Sequence, residues 1–220
     1  TGEITNHQIR PDEPRRGGDG RGLKYEAPSG SRMTLDVPPA ALEKLGDASV
    51  PLVVTEGIKK ADSLVSRGLC GLALLGVWGW RGDNGRGGKT VLPQWEYVAL
   101  SGRRVFIVFD SDITLKVPVY RAMIRLKAFL EGRGAEVFVI YLPAGKGGTK
   151  LGVDDFFVAG YGVDDLLSRA SKELREPPED NYLADEPDTQ AAKLVRYAEE
   201  ADLFHTPDRE AYASVPVEED

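Results

Sequence analysis

The stretch RRVFIVFDSD, residues 103–112, decides the fold. From Val105 to Phe109 every residue is β-branched or aromatic, which suits a strand. The run does not alternate apolar with polar, so the strand is expected to be buried on both faces, as in a parallel sheet covered by helices. It then ends in two acids, Asp110 and Asp112, with Ser111 between them. If strand geometry persists to residue 112, Ser111 points one way and both carboxylates the other.

Working outward, similar strand runs stand on either side: PLVVTEG (51–57), LCGLALLG (69–76) and AEVFVIYLP (135–143). Between them lie helical patterns. KKADSLVSRG (59–68) has Ala61, Leu64 and Val65 at helical spacing, and VPVYRAMIRLKAFLEGRG (117–134) is amphipathic; each ends in glycine. The fold class is therefore α/β, with about four parallel strands flanked by helices and a small N-terminal α+β segment. In that segment GEITNHQIR (2–10) reads as a strand, RRGGDGRG (15–22) as a flexible loop and PPAALEKLG (38–46) as a short helix. GWRGDNGRGGK (79–89) reads as a Gly-rich loop, PQWEYVALSG (93–102) as a short helix, and 153–175 as mainly helical. EPPEDNYLADEPD (176–188) reads as a linker, 189–204 as a last amphipathic helix, and HTPDREAYASVPV (205–217) as a hairpin. The expected domains are 1–50, 51–175, the linker 176–188, and 189–220 as the start of a further region.

Composition narrows the function classes. Of 220 residues, 41% are hydrophobic and 29% charged, enough for a core. No apolar run approaches the length of a membrane span. The first residues, TGEITNHQIRPDEPRR, have neither a starting Met nor an apolar h-region, so the chain reads as a fragment or processed form without a signal peptide. The single cysteine, Cys70, lies in an apolar run and reads as a buried thiol, which points to the cytoplasm. The net charge of −7 has the wrong sign for bulk attraction to nucleic acid. The acidic excess, however, lies beyond residue 172, and residues 1–36 carry basic groups including Arg10, Lys24 and Arg32.

In an open parallel sheet, reactive groups gather at the carboxyl ends of the strands. Glu56 closes the first strand run; Asp110 and Asp112 close the third. Asp154 and Asp155 follow the fourth strand after the loop PAGKGGTKLGV and are placed to complete the cluster. Taken singly these signals are weak: strands often end in a polar residue plus Gly, and an Asp pair opening a helix serves as a cap. Their common placement at strand ends is what makes them a candidate site. Carboxylate oxygens suit Mg²⁺, which keeps several waters and uses one or two carboxylates plus substrate phosphates. Two such ions can steady both oxygens of a phosphoryl displacement.

The order E-G (Glu56, Gly57), D-x-D (Asp110, Asp112), D-D resembles the Toprim domain of bacterial primases, topoisomerases and related nucleases. Two further segments resemble primases: QIRPDEPRRGGDGRGLKYEAPSG (8–30), with its Lys24-Tyr25 step, and LPAGKGGTKLGVDDFF (142–157). The wording PLVVTEGIKKAD followed by GVWGW is similar to Toprim-like domains of phage and plasmid primase–helicase replication proteins. The resemblance covers residues 5–175. It implies Glu56, Asp110 and Asp112 as catalytic metal ligands, Asp154 and Asp155 near the same metal, and Mg²⁺ or Mn²⁺ as cofactor. It also implies nucleotides and a single-stranded DNA template as partners, gripped by Arg10, Lys24, Tyr25, Lys59 and Lys60. A helicase or ATPase module is expected in the same or a neighbouring chain, although GRGGKT (85–90) is not a P-loop, because Asp83 stands where its first Gly is required. Cellular primases carry an acid four residues after the Glu; here that place holds Lys60, with Asp62 two places on. Zinc-ribbon cysteines are absent from this chain.

The function expected is thus Mg²⁺-dependent nucleotidyl transfer in primer synthesis by a mobile-element replication protein. A Toprim nuclease and a non-catalytic nucleic-acid- or partner-binding module are alternatives. A third is a haloacid-dehalogenase-like phosphatase, since IVFDSDITL (107–115) fits its motif, with Asp110 as nucleophile and Lys146 or Lys150 as charge stabiliser. Chain geometry opposes that alternative: a single helix–strand unit separates Asp112 from Asp154.

Overall fold

The computed structural model describes residues 7–16, 22, 25–85, 87–176, 202–205 and 211–214, the last two stretches as backbone. The chain divides into two compact units, Thr1–Pro178 and Glu179–Asp220.

The first unit is built on a five-stranded sheet. Its strands are β1 (Leu52–Thr55), β2 (Cys70–Ala73), β5 (Arg104–Val108), β6 (Glu136–Ile140) and β7 (Ala170–Ser171), in the order β2-β1-β5-β6-β7. The first four are parallel, as the apolar runs predicted; β7 adds a short antiparallel edge on β6. Every residue of β1 and β2 is buried, because helices cover both faces. On one face α2 (Ile58–Ser66), α4 (Val153–Val158) and α5 (Val163–Leu167) enclose Val53, Phe106, Val108 and Ile140 with Leu64, Phe156, Phe157 and Leu166. The alternate residues of β5, Val105 and Ile107, face the other side. There α3 (Val117–Gly132) packs on β5 and β6. Gly71 lets α2 come close to the sheet: a Cβ there would lie 2.9 Å from the Ala61 carbonyl oxygen.

Several expectations from the sequence need correction. The 79–89 loop is a hairpin, β3 (Arg81–Asp83) with β4 (Lys89–Val91), because its glycines supply the turn between two short paired arms. The 93–102 helix is one 3₁₀ segment, Pro93–Tyr97, whose Trp95 is buried edge-on against Phe129. The expected helix over 153–175 is broken into α4 and α5, since Gly160 has φ of 96° between them, and it finishes in β7. Most consequential, β5 stops at Val108, and Ser111–Thr114 form a 3₁₀ turn instead of continued strand. In the second unit, β8 (Asp202–His205) and β9 (Ala211–Ser214) pair antiparallel. Strand pairing thus overrides the helical reading at 202–204, and residues 189–201 lie outside the described residues, as do 177–188 of the expected linker.

The edge of the sheet opposite the carboxylates is closed by Arg103. Its side chain is fully buried, yet its guanidinium donates to four backbone carbonyls: Val50 at 2.7 Å, Leu45 at 2.7 Å, Lys44 at 2.8 Å and Ala99 at 3.2 Å. Burial alone pulls its pKa down. Cys70 lies beneath it as a free, buried thiol. Arg103→Met strands these carbonyls away from water and is expected to destabilise the fold by roughly 3 kcal/mol, read from the midpoint of urea unfolding. A midpoint equal to wild type would show that water replaces the guanidinium.

Candidate functional site

The sheet's carboxyl edge gathers most of the expected residues for a topological reason. β1 and β5 are neighbours in parallel register, with Thr55 opposite Val108. Glu56 follows β1 directly and Asp110 follows β5 by two residues, so both emerge at one edge. Asp110 is buried, 3% exposed, and the Glu56 side chain is largely shielded, 11% exposed. Lys60, on the first turn of α2, stands one helical turn after Glu56 and reaches back over the same edge. Its Nζ lies 3.0 Å from Glu56 Oε1 and also donates to Asp110 Oδ1.

A second lysine arrives from the loop after β6. The Ser111 amide donates to the Leu151 carbonyl at 3.0 Å, and the Leu151 amide donates to Ser111 Oγ at 2.9 Å. This reciprocal pair ties the loop to the turn after β5 and sets Lys150 Nζ on Asp110 Oδ2, 3.8 Å from Glu56 Oε1. Gly152 follows, and a Cβ there would have to displace the side chains of the cluster, meeting Asp154 Oδ1 at 2.6 Å, Lys60 Cε at 2.9 Å and Asp110 Oδ1 at 3.1 Å. Asp154 and Asp155 open α4 beside it.

The electrostatics follow from burial. Desolvation, then the hydrogen bond with Asp110, push the Glu56 carboxyl up to about 7, against the pull of Lys60. Burial also opposes the Asp110 charge, but hydrogen bonds with Glu56, Lys150 and Lys60 outweigh it and hold Asp110 below its ordinary value. Lys60 and Lys150 are both raised: burial opposes their charge and the two carboxylates more than restore it. Of the two carboxyls, Glu56 therefore holds its proton the more readily and Asp110 keeps its charge.

A cavity of about 790 Å³ opens over this cluster. Glu56, Lys59, Lys60, Asp110, Lys150, Asp154 and Asp155 line it, with Leu75 and Gly76 after β2. Gln8, Arg10 and Tyr25 of the N-terminal segment also line it. They are brought there by paired backbone hydrogen bonds between Ile9 and Glu26, both 2.8 Å, and by the Arg15–Glu26 ion pair. Lys24 lies outside the described residues. Asp112 is the exception among the expected ligands. The 3₁₀ turn replaces strand alternation, so Asp112 does not line the cavity; it is 8% exposed and pairs with Lys116 Nζ at 2.6 Å. Asp62 is exposed on α2 and likewise does not line it. Gly152 was not among the expected site residues, and Lys150 was expected only as the charge stabiliser of the phosphatase alternative; the lysine-bearing loop between Leu142 and Asp154 was their signal.

Among the described residues, no group of three or more His, Cys, Asp or Glu side chains converges to hold a metal ion as it stands, and lysine ammoniums sit on the two sheet-edge carboxylates. The donor chemistry nevertheless fits one hard cation. Glu56 Oε2 and Asp154 Oδ1 are buried acceptors without a hydrogen-bond partner, and buried oxygens in that condition favour a cation.

Glu56 also gives the fold a pH signature. Between its ordinary 4.5 and about 7, the folded chain holds a proton that the unfolded chain releases. Stability therefore declines as pH rises through that window. Glu56→Gln is expected to flatten the decline in thermal melts between about pH 5 and 8; an unchanged slope would assign it to other groups.

Three comparisons bear on this arrangement. The fold is similar to the crystal structure of the Aquifex aeolicus primase (zinc-binding and RNA polymerase domains), with a TM-score of 0.50 and 18% identity over 77% of this chain and 38% of that one. At that identity the likeness is one of fold. A relative from Picosynechococcus sp. (strain ATCC 27264 / PCC 7002 / PR-6), named as an uncharacterised protein, is 32% identical over 105 residues, 44% of this chain and 10% of its own length. The chain thus spans about a tenth of that relative. Among the described residues no helix is long and apolar enough to cross a membrane. The family model described as a domain of unknown function, DUF3854, matches residues 43–174, which contain both sheet-edge carboxylates and both lysines. The chain belongs to the DUF3854 family, on a Toprim-like α/β fold.

Proposed function

We propose that this domain performs primase-type nucleotidyl transfer on a DNA template, as the Mg²⁺-dependent Toprim module of a mobile-element replication protein in the cytoplasm. The observation that carries this reading is the cavity at the carboxyl edge of the parallel sheet, where buried Glu56 and Asp110 meet four cationic side chains, Arg10, Lys59, Lys60 and Lys150. Glu56, Asp110 and Asp154 are the residues that would hold Mg²⁺, which, when bound, neutralises charge developing on a transferring phosphoryl group. Asp155 supports the first turn of α4, and Asp112 acts from outside the cavity by fixing Lys116.

The chain's own residues account for the rest. Lys150, half exposed on its loop, is free to turn toward an incoming phosphate, whereas Lys60 is held in the wall. Arg10 and Lys59 face the mouth as phosphate contacts, and Tyr25, 46% exposed, offers a ring on which a base can stack. Nucleotides and single-stranded template are the ligands, with Lys24 on the same segment, and a helicase or ATPase module is the partner in this or a neighbouring chain.

A second reading has one observation in its favour. Neutralisation of both carboxylates by lysines also suits a module that binds nucleic-acid phosphate without reacting. Primer-synthesis and nuclease assays with Mg²⁺ or Mn²⁺ separate the two. Asp110→Asn is expected to lower primer synthesis by roughly a hundredfold or more relative to wild type. Cleavage without synthesis assigns a nuclease. Equal inertness of wild type and variant, with retained single-strand binding, assigns the non-catalytic module, and release of phosphate from small monoesters assigns the phosphatase chemistry.

A further inference from the structure

The two lysines on Glu56 and Asp110 are not equivalent. Lys60 rises from the first turn of α2, and its side chain is 17% exposed. Its stem lies against Gly152, where a Cβ would come within 2.9 Å of Lys60 Cε. Its ammonium bridges Glu56 Oε1 and Asp110 Oδ1, so it fills the position between two carboxylates that a cation would take. Leaving that position would strand two buried carboxylates, at a cost no surface ion pair carries. Lys150 belongs to an open loop, is 53% exposed, and holds only the outer oxygen, Asp110 Oδ2, closely. Its ammonium can return to water at little cost.

From this asymmetry we infer that Lys60 is a resident cation that limits the site to one divalent ion, and that Lys150 is the exchangeable cation which that ion displaces. The inference rests on the metal-dependent reading above and specifies it. An ion and an ammonium cannot share the lone pairs of Glu56 Oε1 and Asp110 Oδ1, because Mg–O distances of about 2.1 Å require the oxygens stripped of other donors. With Lys60 in place, the oxygens left are Glu56 Oε2 and Asp154 Oδ1, both buried and without partners, and Asp110 Oδ2 once Lys150 departs. That set serves one ion completed by water and substrate phosphate, with the second positive charge supplied by the protein itself. Lys60 thus acts as a positioning residue, setting how many ions bind.

Titration of the intact chain with Mn²⁺, followed by electron paramagnetic resonance of the free ion, tests this without reference to activity. Wild type is expected to bind one Mn²⁺, and Lys150→Met, a substitution at an exposed position, to bind one Mn²⁺ roughly tenfold more tightly because the competing charge is gone. Lys60→Met is expected to admit a second ion, while Lys60→Arg, which keeps the charge, stays at one. Two ions in wild type, or affinity unchanged or weaker in Lys150→Met, would overturn the inference and leave the metal-dependent reading standing. Absence of Mn²⁺ binding in wild type and all variants, each showing a cooperative melt, would overturn both.

Discussion

The parallel pairing of β1 with β5 is the constraint from which the rest of the site follows. With Thr55 opposite Val108, two acids far apart in sequence emerge at one edge of a sheet covered on both faces. Carboxylates in so little water are untenable without positive charge. Lys60 answers from the helix that follows β1 and Lys150 from the loop that follows β6, so the pair of acids draws its cations from two different connections. The Ser111–Leu151 hydrogen bonds and the missing side chain at Gly152 are what allow the second connection to close on the first.

The two ends of β5 solve the same problem with opposite signs. At its start a buried guanidinium, Arg103, is satisfied by neutral carbonyl dipoles and anchors the segment before β1. Just beyond its end, buried Asp110 is satisfied by full charges. Carbonyl dipoles are fixed by the backbone, whereas lysine ammoniums are carried on flexible stems. The first arrangement is structural glue, and the second can be rearranged by a ligand. This difference makes the carboxyl edge the candidate functional one, in keeping with where open parallel sheets place their ligands.

Much of this was legible in the residues. Apolar runs at 52–54, 70–73, 105–108 and 137–140 fit a covered parallel sheet, and strand ends are where exposed chemistry must appear. Glu56, Asp110, Asp154 and Asp155, with Arg10, Tyr25, Lys59 and Lys60, were all found around one cavity. Asp112 lies off the cavity because strand alternation ends with β5 at Val108; a 3₁₀ turn of four residues carries no periodic signal in sequence. Lys150 was legible only under the phosphatase alternative, because a lysine in a glycine-rich loop looks like any solvated charge until its loop is tied down.

The sequence by itself determined the sheet, its helical cover and the edge at which the acids lie, because burial and strand propensity act residue by residue along the chain. Only the tertiary structure decided which acids face the cavity, which lysines sit on them, and how far each lysine is free to leave. Those outcomes depend on hydrogen bonds and steric gaps between segments that composition and periodicity do not encode: Ser111 with Leu151, Lys60 against Gly152, Ile9 with Glu26.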